Sequence, residues 1–204
     1  MPDTPMQPEG REEGEWEVLD SQQLFKDRWL NVTADKVRTA RGHVLDPYYV
    51  LSYSDWVQVV AITPRDELIL VRQYRHGAQR NTLELPAGAM EPGEGDAVAA
   101  GRREFIEETG FDAPDWRLVS TLHPNTATHR NRCHTVLALG AVRVGEQKQD
   151  LGEDIEVRIL PLAEVLAGLG KGLLPQAMHV SALLLALSAA GRLDLGAGLR
   201  QPAG

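Results

Sequence analysis

One segment with helical signals lies among segments that favour β-strands, and this order limits the folds open to the chain. The helical segment is 97–109, "AVAAGRREFIEET", with Asp96 placed to cap its start and Gly110 to end it. The runs 56–63 and 67–74 precede it and are typical of a hairpin, while 118–122, 133–144 and 155–160 follow it as further strand signals. Several strands with one inserted helix predict a mixed sheet of the α/β class, α+β type, rather than a doubly wound parallel sheet.

The two ends of the chain differ from its centre. The first residues are polar and rich in Pro, Gly and Glu, which predicts a disordered lead-in. The runs 30–38 and 43–53 are rich in β-formers and flank a Gly-containing turn, so they predict an N-terminal hairpin. We therefore expect a lead-in at 1–15, a β arm at 16–54, the main domain at 55–190 and a flexible tail at 191–204.

The composition is that of a globular protein with an acidic surface. Of the 204 residues, 43% are hydrophobic and 25% are charged, which is ordinary for such proteins. The formal charge of −8 disfavours nucleic acids and anionic membranes as partners. The single cysteine, Cys133, cannot form an internal disulfide, and this count suits the cytoplasm. The most apolar run, 180–190, is shorter than the roughly 20 residues that span a bilayer and predicts a buried helix.

Carboxylates are concentrated near the end of the predicted helix. Glu104, Glu107 and Glu108 lie at i, i+3 and i+4, so they share one helix face within about 5–6 Å of one another. Because like charges at this spacing repel, one interpretation is a solvated face screened by neighbouring arginines. The other is a cation site, since the glycine-rich loop 82–95, with Glu94, can fold over the same face. Mg²⁺ is commonly bound by one or two carboxylates together with substrate phosphates, so a phosphate site follows from the second interpretation.

The loop and the helix together resemble the Nudix box, G-x5-E-x7-R-E-U-x-E-E-x-G-U, in which U is a bulky apolar residue. The matching positions are Gly88, Glu94, Arg103, Glu104, Glu107, Glu108 and Gly110. Eight residues rather than seven separate Glu94 from Arg103, and placing the extra residue at Gly95 leaves the helical spacing of the glutamates unchanged. The wider chain resembles Nudix enzymes of the ADP-ribose and nucleotide-sugar pyrophosphatase group.

This resemblance implies a Nudix fold, in which a mixed β-sheet is sandwiched between helices, with an N-terminal β-hairpin arm. It also implies Mg²⁺-dependent hydrolysis of a diphosphate bond, with Mn²⁺ as a substitute ion. By resemblance, Glu104 and Glu108 bind the metal directly, Glu107 binds it directly or through water, and the carbonyl of Ala87 completes the site. Arg103 is expected to hold a glutamate in place, and its alternative is a surface arginine.

The resemblance places a general base in a loop after the box. The segment 150–157, "DLGEDIEV", supplies several carboxylates, of which Glu153 is favoured because it directly precedes the strand-like run. A solvated acidic loop is the alternative.

Substrate contacts are expected from "VRQYRHG", which contains Arg72, Tyr74 and Arg75. Because side chains alternate along a strand, Arg72 and Tyr74 share a face and Arg75 opposes them unless a bulge intervenes. Trp56 is a further candidate, for stacking on a base, with a core or dimer-interface position as the alternative.

The expected substrate is a nucleoside diphosphate derivative, with ADP-ribose first among the nucleotide sugars. The segment 122–140 has Pro124 where ADP-ribose-cleaving relatives carry a proline, although it lacks their Ser-Pro-Gly followed by Glu. A Nudix-fold nucleotide sensor without hydrolysis is the alternative, disfavoured because the box glutamates are present. A generic acidic interaction module explains neither Gly88 nor Gly110. The resemblance further implies a homodimer in which the strands of the arm exchange.

Overall fold

The computed structural model describes residues 14–91, 93–148 and 154–195. The chain forms two compact units. Among these described residues, one unit contains 14–53 together with Asn125–Arg130, and the other contains those of 54–124 and 131–195. Within the described ranges, no helix is long and apolar enough to cross a membrane.

The first unit is built on a three-stranded antiparallel sheet. Its strands, in spatial order, are β1 (Glu17–Lys26), β2 (Asn31–Arg38) and β3 (Val44–Ser52). Strands β2 and β3 confirm the predicted hairpin. Strand β1 was not predicted, because most of its side chains are exposed and it therefore lacks the polar–apolar alternation of a half-buried strand.

The second unit is built on a mixed β-sheet with helices on both faces. Its elements in chain order are β4 (Trp56–Ile62), β5 (Glu67–Arg75), β6 (Arg80–Glu84), β7 (Ala87–Ala89), α1 (Ala97–Thr109), β8 (Phe111–Asp112), β9 (Asp115–Leu122), β10 (Cys133–Leu139), β11 (Val142–Arg143), β12 (Glu156–Pro161), α2 (Leu162–Leu169) and α3 (Ala177–Ala189). The central sheet has the order β12-β5-β4-β10-β9, with β6 paired to β5 and β7 paired to β4. Strand β4 is parallel to β10 and antiparallel to β5 and β7. The predicted α+β class is confirmed.

Strand β4 lies in the middle of this sheet and is covered on both faces. After Trp56 every residue of the strand is buried. On one face Val59 packs with Phe105 of α1, and on the other Val60 packs with Leu183 of α3. Full burial of a side chain such as Phe105 contributes about 1.5–3 kcal/mol. This packing holds α1, the helix that carries the glutamates, firmly against the sheet.

Three local predictions differ from the structure. The strand expected over 133–144 ends at Leu139, because Gly140 takes a positive φ of 76° and starts a turn before β11. The region 82–95, expected to be a loop, contains the end of β6 and all of β7. Strand β9 begins at Asp115, ahead of the predicted start at Leu118.

Candidate active site

Helix α1 begins and ends as its sequence predicts. The side chain of Asp96 accepts hydrogen bonds from the backbone N–H groups of Val98 and Ala99, at 2.8 and 3.3 Å. Gly110 is left-handed, with φ 72°, and its N–H donates to the carbonyl of Ile106 at 2.9 Å. Both caps satisfy backbone groups that a helix end leaves unpaired. The helix therefore presents its glutamates from a fixed frame.

The three glutamates of the box lie in three different environments. Glu108 is 3% exposed, the side chain of Glu104 is 15% exposed and that of Glu107 is 45% exposed. The carboxylate of Glu108 accepts a hydrogen bond from the backbone N–H of Ala87 at 3.0 Å. A buried carboxylate needs such partners, since an unpaired one is costly. The interpretation of a uniformly solvated acidic face is therefore wrong.

Strand β7 lies close to the same carboxylates, and its Gly88 lies beside Glu104. A Cβ built on Gly88 would overlap the carboxylate of Glu104, with Oε1 at only 2.5 Å. Only glycine leaves room for the backbone to pass this close to a charged side chain. Ala87 and Gly88 thus bring main-chain groups against Glu108 and Glu104.

Arg103 holds the outer carboxylates together. Its Nη1 donates to Glu104 at 2.9 Å and to Glu107 at 3.3 Å. Its Nη2 and Nε donate to the two carboxylate oxygens of Glu94 at 3.1 and 3.4 Å. The hydrogen bond to Glu94 is the largest cause of a raised pKa of Arg103, and the same bond lowers the pKa of Glu94. Arg103 is therefore no isolated surface arginine.

The extra residue before the helix leaves Glu94 at the site. Gly95 lies immediately ahead of the Asp96 cap, outside the helix. Glu94 also accepts a hydrogen bond at its side chain from the N–H of Glu91 at 3.0 Å. The loop absorbs the insertion, and the contact between Glu94 and Arg103 is kept.

The donor groups here fit a hard divalent cation. Carboxylates of Glu104, Glu107 and Glu108 are the oxygen ligands that such cations prefer, and the approach of Gly88 to Glu104 brings the backbone of β7 beside them. In the described ranges no three His, Cys, Asp or Glu side chains converge into a ready-made metal cage. Arg103 instead bridges Glu104 and Glu107.

The C-terminal end of α1 is tied to the chain on both sides of the predicted base. The N–H of Lys148 donates to the carbonyl of Glu107 at 2.8 Å. The side chain of Gln147 donates to the carbonyls of Glu108 and Ile155, at 2.6 and 3.1 Å. Glu153 itself lies outside the described residues. The flank that precedes its segment therefore meets the helix end that carries the box glutamates, and Gln147 links this flank to Ile155.

A cleft of about 410 Å³ opens beside strand β7. Its lining residues include Trp56, Gln58, Arg75, Ala87, Gly88, Cys133 and His179. The structure thus brings two predicted substrate residues, Trp56 and Arg75, to the same cleft as the backbone of Ala87. Cys133 is buried, as expected, and burial raises the pKa of its thiol to about 11.

Arg72 and Tyr74 are not among the residues that line this cleft. The pairing of β5 with β6 runs through Arg75 without a register shift, so no bulge intervenes and Arg75 lies on the opposite side of the strand from Arg72 and Tyr74. The guanidinium of Arg72 is 3.3 Å from Glu156 of β12, while Tyr74 is 54% exposed.

Sequence reasoning missed the residues that surround Arg75. Glu84 of β6 is 1% exposed and accepts hydrogen bonds from Arg75 and Thr82. His179 of α3 is 2% exposed and accepts a hydrogen bond from the N–H of Leu85 at 3.1 Å. A glutamate inside the apolar run "TLELP" was the available signal, since a charged residue in a buried strand needs a partner.

Comparison with known proteins shows which proteins this chain resembles. Residues 54–179 match the NUDIX domain, and residues 16–51 match the nucleoside diphosphate sugar hydrolase N-terminal domain. An ADP-ribose pyrophosphatase of Bacillus subtilis is 27% identical over 154 residues, which cover 74% of this chain and 82% of that protein. A methanol dehydrogenase activator of Bacillus methanolicus is 29% identical over 150 residues, covering 72% and 78%. A crystal structure of an ADP compounds hydrolase has the same fold, with a TM-score of 0.75 at 24% identity, covering 90% of this chain and 100% of that one.

A mixed sheet lies between helices, with one helix presenting glutamates to a glycine-containing strand, which is an α+β domain. Because the domain match spans more than half of its length, the chain belongs to the Nudix family.

Proposed function

We propose that the protein hydrolyses the diphosphate bond of a nucleoside diphosphate linked to another group, with ADP-ribose as the first candidate. The observation that carries this proposal is the convergence of Glu104 and Glu108 on the Ala87–Gly88 backbone, beside a cleft that contains Arg75. The name of the Bacillus subtilis relative supports ADP-ribose in particular. Hydrolysis would give two monophosphates.

Nudix hydrolases in general require a divalent metal, and we propose Mg²⁺ here, with Mn²⁺ as a substitute. Glu104 and Glu108 would bind it directly, Glu107 directly or through water, and the carbonyl of Ala87 would complete the set. When bound, such an ion polarises phosphoryl oxygens and lowers the pKa of a bound water. The exposure of Glu107, far greater than that of Glu108, is consistent with a contact through water.

Arg103 would position Glu104 and Glu107 through its hydrogen bonds to both. Glu153 is the proposed general base, supported by the hydrogen bonds of Gln147 and Lys148, which precede its segment, to the end of α1. Glu153→Gln is expected to lower kcat at least about 100-fold, as loss of a general base does, while the Mg²⁺ concentration giving half-maximal activity stays the same. Unchanged kcat would remove Glu153 from the mechanism.

Arg75 and Trp56 are the proposed substrate contacts within the cleft. A guanidinium suits an anionic diphosphate, and an indole suits the face of a base. Arg72 and Tyr74 stay predictions for the outer end of the substrate, and Arg72 would first have to release Glu156.

We also propose that the chain divides into an arm at 16–54 and a Nudix domain at 55–190, and that the arm forms a homodimer. Trp16, Phe25 and Trp29 of the first unit are 47, 51 and 65% exposed, and packing these aromatic side chains against a second copy would remove apolar surface from water. The matches at 16–51 and 54–179 support the division. Sedimentation as a monomer at micromolar concentration would contradict the dimer.

We further propose that the protein is cytoplasmic and has no nucleic-acid or membrane partners, because it has a single cysteine and a formal charge of −8.

The deciding experiment is phosphate-product release with Mg²⁺ from ADP-ribose, GDP-mannose, other nucleotide sugars, dinucleoside polyphosphates and NADH. The proposal expects the highest kcat/KM with ADP-ribose, and expects loss of activity in Glu108→Gln. Binding of a nucleotide without hydrolysis of any substrate would instead indicate a sensor and overturn the proposal.

A further inference from the structure

A charged pair links the wall of the cleft to the protein interior. Nε of Arg75 donates to one carboxylate oxygen of Glu84 at 3.0 Å, and its Nη2 donates to the other at 2.7 Å. The two side chains differ greatly in exposure, since that of Arg75 is 45% exposed and that of Glu84 only 2%. The guanidinium therefore has one edge fixed by a buried carboxylate while the side chain extends to the surface of the cleft.

The carboxylate of Glu84 is itself held in place. The hydroxyl of Thr82 donates to it at 2.5 Å. Burial alone would raise the pKa of Glu84, but the hydrogen bonds from Arg75 and Thr82 outweigh it and lower that pKa. The carboxylate is thus an ionised, oriented anchor for Arg75.

His179 closes the cluster on the side of α3. Its Nδ1 accepts a hydrogen bond from the backbone of Leu85, and burial lowers its pKa to about 4, so the ring is neutral near pH 7. A neutral ring does not compete with Arg75 as a cationic partner of Glu84. Glu84 and Arg75 therefore form the charged part of the cluster.

Stability alone is a poor reason for such a pair. Taking a carboxylate out of water costs free energy that its partner only partly repays, and apolar replacements of buried pairs are often neutral or stabilising. Arg102 donates two similar hydrogen bonds to Asp112, at 2.9 and 2.6 Å, but these bonds lie on the exposed surface of the protein. The Arg75–Glu84 pair differs in that Arg75 lines the cleft, while the buried carboxylate of Glu84, which is not part of that lining, fixes the guanidinium.

We propose that Glu84 is a positioning residue that orients the guanidinium of Arg75 toward the anionic diphosphate of the substrate. This inference rests on the proposed function, because it takes the cleft as the substrate site. Glu84 does not touch the substrate; it acts through Arg75.

The test is a double-mutant cycle on Arg75 and Glu84. Glu84→Gln keeps the shape of the side chain and removes its charge, and is expected to raise KM for ADP-ribose about tenfold while kcat changes less than about threefold, because a ground-state contact is weakened. In an Arg75→Ala background, Glu84→Gln should leave KM unchanged. A purely structural role of Glu84 would instead give the same loss in both backgrounds and would overturn the proposal.

Thermal unfolding checks that the variants can be compared. Arg75→Ala leaves a buried charge without its partner, so adding Glu84→Gln to it should raise the midpoint of unfolding. Asp112→Asn, in the exposed pair, is the matched control and should leave KM unchanged. A tenfold rise of KM in the control would contradict the special role of Glu84.

The same cycle measured by binding separates this inference from the proposed function. Calorimetric Kd values for a non-hydrolysable methylene analogue of ADP-ribose should show the tenfold effect of Glu84→Gln only when Arg75 is present. Binding with this pattern but without turnover of ADP-ribose or any other substrate named above would refute the proposed hydrolysis and leave the positioning role standing. An unchanged Kd in Glu84→Gln, in an active enzyme, would refute the positioning role alone.

Discussion

Replacing Gly88 by alanine is expected to separate catalysis from folding. A Cβ at this position would overlap the whole carboxylate of Glu104, with Oε1, the farthest of its three atoms, at 2.5 Å, whereas ordinary contact begins near 3.4 Å, so the carboxylate must move by at least about 0.9 Å. The group that must yield is the flexible end of a side chain, and Gly88 has no positive φ that alanine would strain. A displacement of about 1 Å in a catalytic arrangement can cost about 100-fold in rate. We therefore expect kcat/KM to fall about 100-fold, with a higher Mg²⁺ requirement.

The assay is ADP-ribose hydrolysis over a Mg²⁺ titration, combined with thermal unfolding. Stability should change by less than about 1 kcal/mol, because a Gly→Ala substitution also restricts the unfolded chain and offsets part of the local cost. Gly95→Ala is the control, since it lies in the same loop and its Cβ would meet nothing within 4 Å. Wild-type activity and Mg²⁺ dependence in Gly88→Ala would refute the reasoning, and so would failure of this variant to fold.

Two further predictions concern Gly110 and Asp112, which follow the C-terminal end of α1. Gly110→Ala should lower the free energy of unfolding by about 1–3 kcal/mol in urea denaturation. The reason is that Gly110 has φ 72° and an added Cβ would overlap the backbone of Gly145. Gly191→Ala is the control and should lose less unfolding free energy, because Gly191 has φ 68° but open space around an added Cβ. Equal losses would show that the contact with Gly145 is unimportant. Arg102 lowers the pKa of Asp112 in the folded protein below the ordinary 3.8. The contribution of ionised Asp112 to folding stability is therefore complete above pH 3.8, and it is lost as the pH falls through the lower folded-state pKa. Asp112→Asn should flatten the unfolding free energy below about pH 4, and an unchanged acid profile would contradict the assignment.

The parts of the fold that were predicted correctly depend on local signals. Asp96 and Gly110 act within one or two turns of α1, so the caps are readable from adjacent residues. Strand β1 carries mostly exposed side chains, and its partner β2 supplies backbone hydrogen bonds that leave no periodic pattern in the sequence. Strand β7 is only three residues long and is defined by its pairing with β4. Such elements are specified by distant partners.

The sequence predicted which glutamates of the candidate site share a helix face, but not how deeply each one is buried. The positions i, i+3 and i+4 placed three glutamates on one helix face, but the sequence could not show that Glu108 is buried and Glu107 exposed, because that depends on where β7 packs. Alternation along β5 correctly separated Arg75 from Arg72. The choice of Arg75 for the cleft depends on Glu84, which reaches it from the neighbouring strand.

Arg103 contacts Glu104 and Glu107, two of the carboxylates that would bind a cation. Three glutamates at helical spacing repel one another, and Arg103 offsets this repulsion by bonding Glu104 and Glu107. Removing it in Arg103→Ala should therefore lower the unfolding midpoint without metal and strengthen cation binding, since a cation becomes the main source of compensating charge. Mg²⁺ should then raise the midpoint more in Arg103→Ala than in wild type, because ligand stabilisation grows with affinity. Catalysis should move the opposite way, since the glutamates lose their orientation. A smaller Mg²⁺-induced shift in Arg103→Ala would show that Arg103 aids cation binding more by orienting the ligands than it opposes binding by its charge.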